Sequence, residues 1–119
     1  MASVRRFNGS QQYWFDEGCF INELSNSVDD ESLSIALATV PAGTTTAWHW
    51  LEGITERYVI QQGEGIVEIG DAPPQLLRAH DVVIIPPGSR QRIANTGNEP
   101  LVFLALCTPR FKAEAYHQD

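Results

Sequence analysis

The sequence lacks several features that would assign it to a common functional class. It has no run of about 18 apolar residues, so no transmembrane helix is expected. Basic residues are few, with 8 Lys and Arg against 15 Asp and Glu, and the net charge of −7 opposes binding to nucleic acids or anionic membranes. The first residues lack the apolar segment of a signal peptide. We therefore expect a cytoplasmic protein without nucleic-acid or membrane partners.

Cysteine is also scarce, since only Cys19 and Cys107 occur. Their spacing does not match a metal-binding motif, and a reducing cytoplasm does not favour a disulfide between them. The sequence therefore predicts two buried thiols that act as small apolar side chains.

Long stretches of helical periodicity are absent as well. Short apolar runs alternate with turns that contain many of the 9 glycines and 7 prolines, which is typical of an all-β sandwich or barrel. A chain of 119 residues favours one domain, 1–119, with an N-terminal arm at 1–11 and a barrel core at 33–107. The tail, 108–119, is expected to form a short helix or to wrap around the barrel. Val82–Ile85 is entirely apolar, which predicts a strand covered on both faces.

The strand predicted for residues 45–51 has two different faces. One face carries Ala47, His49 and Leu51, and the other carries Thr46, Trp48 and Trp50. Two tryptophans on the face opposite His49 need a cover, which is either a second subunit or a terminal segment of the same chain. We predict a homodimer, because small barrels often bury such a surface between copies.

The next strand brings an acid to the same interior. Glu56, Tyr58 and Ile60 share one face of a strand predicted for residues 56–62, and Gln91 and Ile93 share a face further along the chain. An inward carboxylate is costly unless it is paired or bound to a metal, so His49 and Glu56 form the predicted centre. Ala47, Leu51, Ile60 and Ile93 are the predicted pocket walls, which suit a small, partly apolar molecule.

Two motifs make the chain similar to the cupin superfamily. The first cupin motif is Gly-x5-His-x-His-x3–4-Glu-x6-Gly, and this chain has Gly43, His49, Glu56 and Gly63 at those positions with Leu51 in place of the second histidine. The second motif is Gly-x5-Pro-x-Gly-x2-His-x3-Asn. Pro86, Gly88 and Asn95 match it, whereas His80 replaces the first glycine and Gln91 replaces the histidine. The resemblance implies a jelly-roll barrel, also called a double-stranded β-helix.

The resemblance also implies a metal site. Metal-binding cupins use the motif histidines and the glutamate, which by position correspond here to His49, Glu56 and the amide oxygen of Gln91. The implied cofactor is one divalent ion (iron, manganese, nickel or zinc), and the implied reactions are of the dioxygenase, lyase or isomerase type. Leu51 leaves only three protein ligands, so affinity is expected to be lower than in a site with three histidines.

Two metal-free alternatives remain open. In the first, His49 is a general base polarised by Glu56, with Tyr58 as the acid, as in an isomerase. In the second, the barrel only binds or senses a small molecule, and Leu51 and Gln91 reflect lost chemistry. The sequence does not decide whether the protein is an enzyme.

Overall fold

The computed structural model describes residues 2–119, which form an almost entirely β structure. Two 3-10 turns, Gly9–Gln11 and Ala113–Ala115, complete the regular elements of this part of the chain. The strands in residues 2–119 are β1 (Tyr13–Phe15), β2 (Cys19–Ser25), β3 (Ser34–Val40), β4 (His49–Leu51), β5 (Thr55–Gln62), β6 (Gly65–Ile69), β7 (Gln75–Leu77), β8 (Val82–Ile85), β9 (Gln91–Ala94), β10 (Leu101–Thr108) and β11 (Tyr116–Gln118). No helix among these residues is long and apolar enough to cross a membrane.

The strands form two antiparallel sheets whose inner faces make the barrel. One sheet has the order β1-β2-β3-β10-β5-β8, and the other has the order β11-β4-β9-β6-β7. β10 is the centre of the larger sheet, because it pairs with β3 on one side and with β5 on the other. The predicted jelly roll is therefore confirmed.

Alternation along the strands places the core between the sheets. In β5, Glu56, Tyr58 and Ile60 are buried, whereas the residues between them are half-buried. In β9, Gln91 and Ile93 are buried in the same way. Because successive side chains of a strand point to opposite faces, these residues face the barrel interior as predicted.

The predicted strand at residues 45–51 is shorter than expected. Regular pairing begins only at His49, and residues before it contribute a single bridge, from Thr45 to Ala94. Thr46, which was predicted to lie on the outer face, is buried, and its hydroxyl accepts a hydrogen bond from Ile93 N at 3.0 Å. This contact interrupts the alternation, because it turns a polar side chain inward to satisfy a backbone donor.

The two tryptophans are covered within the chain. Arg90 and Arg92 lie over the Trp48 ring, with their guanidinium carbons 4.3 Å and 4.5 Å from its centroid. Trp50 stacks on His117 of β11 at 5.5 Å. The tail thus adds a strand to the smaller sheet, which fits the alternative that a terminal segment covers this face. The homodimer remains a prediction, but the two tryptophans no longer require a second subunit to cover them.

The prediction that Val82–Ile85 is covered on both faces is wrong. β8 is an edge strand of the larger sheet, and its outward side chains Val82 and Ile84 are 55% and 64% exposed. The inward side chain of Ile85 is 1% exposed. An apolar run alone does not distinguish a central strand from an edge strand, because both can be rich in Val and Ile.

Because Ile85 is buried and Ile84 is exposed, replacing each by alanine should lower the free energy of unfolding by different amounts. Ile85→Ala should lower the free energy of unfolding by about 2–4 kcal/mol, because it leaves a cavity in the core. Ile84→Ala should cost less than about 1 kcal/mol, because the side chain is mostly in water already. Urea unfolding of the two variants measures the difference, and equal costs would mean that the outer face is covered in solution.

Candidate acid–imidazole site in the barrel

A cavity of about 90 Å³ lies between the two sheets. Its lining is largely apolar and aromatic, and it contains no lysine or arginine from residues 2–119. Polar side chains from several elements line it. The polar region around His49 and Glu56 includes the titratable side chains of Glu17, Tyr58, Cys107 and Tyr116.

His49 presents an unprotonated nitrogen to this cavity. The residue is 2% exposed, and its Nδ1 lies 2.7 Å from the carbonyl oxygen of Ala47. A carbonyl can only accept, so Nδ1 carries the proton and Nε2 keeps its lone pair. Burial lowers the pKa of His49, and the contact with the Ala47 carbonyl offsets this only in part. The imidazole is therefore a neutral base of fixed tautomer at physiological pH.

The partner of His49 is Glu17, a residue that the sequence did not predict to lie at the site. Glu17 lies in the turn between β1 and β2, and its backbone oxygen accepts a hydrogen bond of 2.7 Å from Ala47 N. Gly18 permits this turn through a φ of +116°, a conformation that costs glycine little. Oε1 of Glu17 then lies 3.4 Å from His49 Nε2.

The Glu17–His49 contact is a pair of neutral groups rather than an ion pair. Burial, reinforced by the charge of Glu56, raises the pKa of Glu17 to about 8, and the Tyr116 hydroxyl offsets this in part. Because the pKa of His49 is lowered, the proton resides on the carboxyl group at neutral pH. Glu17 is thus a poised acid facing an unprotonated base.

Glu56 is held deeper in the barrel. It is 9% exposed, and its Oε1 accepts a hydrogen bond of 2.9 Å from Gln91 Nε2. Among residues 2–119, its Oε2 meets only the Cys107 thiol, a weak donor, at 3.8 Å. Burial raises the pKa of Glu56 to about 7, against the lowering effect of these two donors. Glu56 therefore does not hydrogen-bond to His49 in this arrangement, although both line the same cavity.

Tyr58 and Gln91 fix the orientation of Glu56. The Tyr58 hydroxyl donates to Gln91 Oε1 at 2.5 Å. The amide oxygen of Gln91 is thereby used, and its NH2 group is directed at Glu56. Burial, the largest of several causes, holds the pKa of Tyr58 well above its ordinary value, so the phenol remains a donor. Tyr58 orients this network and makes no hydrogen bond to His49 within it.

The remaining predicted residues fall at different depths. Leu51 lines the cavity, whereas Ile60 and Ile93 are buried in the adjoining core cluster. Ala47 participates through its backbone N–H and carbonyl groups. Both cysteines are free and buried, and burial raises the pKa of each thiol, so both remain protonated.

The implied metal does not fit the side chains as they are arranged. In residues 2–119, no three His, Cys, Asp or Glu side chains come together as a group that could hold a metal ion. Gln91, which would supply a third ligand, has its oxygen committed to Tyr58. His49 Nε2 and the carboxylate oxygens of Glu17 and Glu56 are ligand types, but they are not arranged around one common point as a metal ion requires.

Comparison with known proteins places the chain in a family. Residues 36–107 match the family Cupin_2, described as a cupin domain, so the chain belongs to the cupins. It is 31% identical over 104 residues to the uncharacterized protein MJ1618 of Methanocaldococcus jannaschii, a match covering 86% of this chain and 82% of that protein. Some cupins bind a metal and others do not, so membership alone leaves the chemistry open.

Solved structures show the same fold at low identity. An uncharacterized protein with a double-stranded β-helix domain from Klebsiella pneumoniae has a TM-score of 0.79 and 17% identity, covering 98% of this chain and 97% of its own. The nucleoside dehydratase Pac13 also has a TM-score of 0.79, with 13% identity and coverage of 98% and 92%. At these identities the likeness concerns the fold.

Glu17 could not have been found from the cupin motifs, since it precedes both of them. The sequence offers only one signal, an acid in a turn between two apolar strands, and such acids are usually solvated. Its role depends on the tertiary contact between the β1–β2 turn and Ala47.

Proposed function

We propose that the protein binds a small, mostly apolar molecule in the barrel and transfers a proton to or from it. The observation that supports this most directly is the pairing of a neutral imidazole of fixed tautomer with a carboxyl group of raised pKa in one cavity. A base and an acid whose pKa values lie near the working pH are the requirement for general acid–base catalysis.

The roles depend on the geometry. His49 Nε2 takes a proton from the bound molecule, and Glu17 supplies one or receives it in turn. Tyr58 and Gln91 hold Glu56 in place through two hydrogen bonds. The apolar walls exclude water, which strengthens every electrostatic contact inside. The reaction class is isomerisation or elimination, in which a proton moves without a redox partner.

Deuterium uptake tests this proposal. It detects proton transfer to or from carbon even when the overall reaction is unknown. A library of small organic compounds is incubated with the protein in D2O, and 1H NMR and mass spectrometry detect compounds that gain deuterium at carbon. Some compounds should exchange at least about 100-fold faster with wild-type protein than with His49→Gln, since a general base typically contributes 10²–10⁴-fold.

A second variant separates binding from chemistry. Ala36 lines the cavity beside Ala105, its partner on the neighbouring strand, so Ala36→Leu should fill the space and abolish exchange by excluding the compound. His49→Gln should retain the compound, as seen by saturation-transfer NMR. Exchange that persists in both variants would refute proton transfer at this site.

Metal chemistry is the main competing function, because cupins often bind metal ions through the positions of His49, Glu56 and Gln91. We expect protein supplied with iron, manganese, nickel or zinc in turn to retain less than about a tenth of an equivalent, since three well-oriented ligands are the usual minimum. Mass spectrometry of metal content measures this. One full equivalent that disappears in His49→Gln would replace the proton-transfer proposal by a metal-dependent one.

A further inference from the structure

We propose that Glu56 binds the protonated amino group of the small molecule, so that the ligand of the barrel is an apolar amine. This rests on the proposed function, because it names the class of molecule that occupies the same cavity. It assigns to Glu56 a role in binding, while His49 and Glu17 face the rest of the ligand.

The first argument is the incomplete partnering of Glu56. The residue is only 9% exposed, and no lysine or arginine of residues 2–119 forms an ion pair with it. Oε1 has a full hydrogen bond from Gln91, but Oε2 has only the thiol of Cys107 at 3.8 Å. A buried carboxylate in this condition gains stability from a cation that donates hydrogen bonds.

The second argument is a shortage of donors at the polar region of the cavity. His49 is 2% exposed, its Nδ1 is satisfied by the Ala47 carbonyl, and Nε2 has no hydrogen bond beyond the 3.4 Å approach of Glu17. Among residues 2–119, the donors that face Glu56 Oε2 and the imidazole lone pair are the weak Cys107 thiol, at 3.8 Å, and the protonated Glu17 carboxyl group, at 3.4 Å. An ammonium group carries three donors and no acceptor, so it complements this set.

The walls of the cavity favour the same ligand class. Aromatic rings line it, among them Phe15, Phe103 and Phe111. The Tyr58 and Phe103 rings pack together with centroids 4.3 Å apart beside Glu56 on the inner face of the larger sheet. Aromatic faces attract organic cations and also accommodate an apolar skeleton. No lysine or arginine from the described part of the chain, 2–119, lines the cavity, which disfavours carboxylates and phosphates as ligands.

Three probes of one shape test the assignment. Benzylamine, benzyl alcohol and benzoate differ mainly in the charge of the head group, and isothermal titration calorimetry at neutral pH measures the binding of each. Wild-type protein should bind benzylamine at least about tenfold more tightly than benzyl alcohol and should bind benzoate more weakly than either, as expected for a buried charge-assisted hydrogen bond. The side-chain NH2 resonances of Gln91 should shift with benzylamine, because Gln91 donates to Glu56.

Glu56→Gln should remove most of the preference for benzylamine and leave benzyl alcohol binding within about twofold, since only the charge is lost. The matched control is Glu99→Gln, which makes the same change at an exposed residue that does not line the cavity and should alter neither affinity more than about twofold. Circular dichroism establishes that each variant is folded. The wild-type comparison of the three probes is decisive by itself if Glu56→Gln does not fold.

The outcomes distinguish the two proposals. Equal binding of benzylamine and benzyl alcohol would overturn the amine assignment and leave the cavity as a binding site. Failure of all three probes on wild-type protein, together with no deuterium exchange, would overturn both proposals. Stoichiometric binding of Zn²⁺ or Mn²⁺ that is lost in Glu56→Gln, with no preference for benzylamine, would assign the acidic site to a metal instead.

Discussion

Raising the pH from about 6.5 to about 8.5 is expected to lower the free energy of unfolding by about 2–3 kcal/mol. The pKa values of Glu17 and Glu56 are raised from 4.5 to about 8 and about 7 in the folded protein. The folded state therefore holds protons that the unfolded state has lost. The stabilisation is complete below pH 4.5 and disappears as the pH passes through about 7 and about 8. Urea unfolding at a series of pH values measures it.

The two carboxyl groups can be separated by substitution. Glu17→Gln should flatten most of the slope above pH 7 and should stabilise the protein at pH 8.5, because a neutral amide replaces an acid that is forced to ionise in a buried site. Glu99→Gln, at an exposed position, is the matched control and should leave the slope unchanged. A wild-type stability that is constant over this range would mean that water or a cation solvates these carboxylates.

Removing the Tyr116 ring is expected to raise the pKa of His49 towards its ordinary value near 6.5. The ring stacks on His49 at 5.6 Å and meets Phe15 edge-on at 5.0 Å, so it closes one wall of the cavity. Tyr116→Ala opens that wall to water. Solvation then removes the main cause of the lowered pKa, which is burial. NMR titration of the His49 ring measures the shift.

The matched variant for this prediction is Tyr116→Phe. It keeps the ring and removes only the hydroxyl group, so the pKa of His49 should stay low while Glu17 loses a neighbour that partly lowers its own pKa. Deuterium exchange should fall at least about tenfold in Tyr116→Ala, because water weakens the acid–base pair. An unchanged pKa of His49 in Tyr116→Ala would show that other residues close the site.

Strand alternation in the sequence predicts which side chains of β5 and β9 face the site. The alternate positions of β5 and β9 bring Glu56, Tyr58 and Gln91 to the interior because a regular strand repeats every two residues. The same rule fails before His49, where Thr46 turns inward to bond Ile93 N. Sequence alternation therefore predicts contacts between side chains correctly only in segments where the strand is regular.

The features that the sequence does not predict lie at a sheet edge and in a turn. Ile84 is exposed because β8 lies at the edge of a sheet, and strand order depends on contacts between distant segments. Glu17 faces His49 because a turn docks on a loop about 30 residues further along the chain, a contact that no local pattern encodes. The motifs locate the imidazole, but not the carboxyl group that lies beside it.

Ala47 has one more consequence, since its N–H binds the main chain of Glu17 while its carbonyl sets the tautomer of His49. The relative placement of the two functional groups thus depends on main-chain atoms of a single residue, whose side chain does not line the cavity. We therefore expect the acid–imidazole contact to survive replacement of Ala47 by other small residues. Proline is the exception, because it lacks the amide hydrogen that anchors the turn.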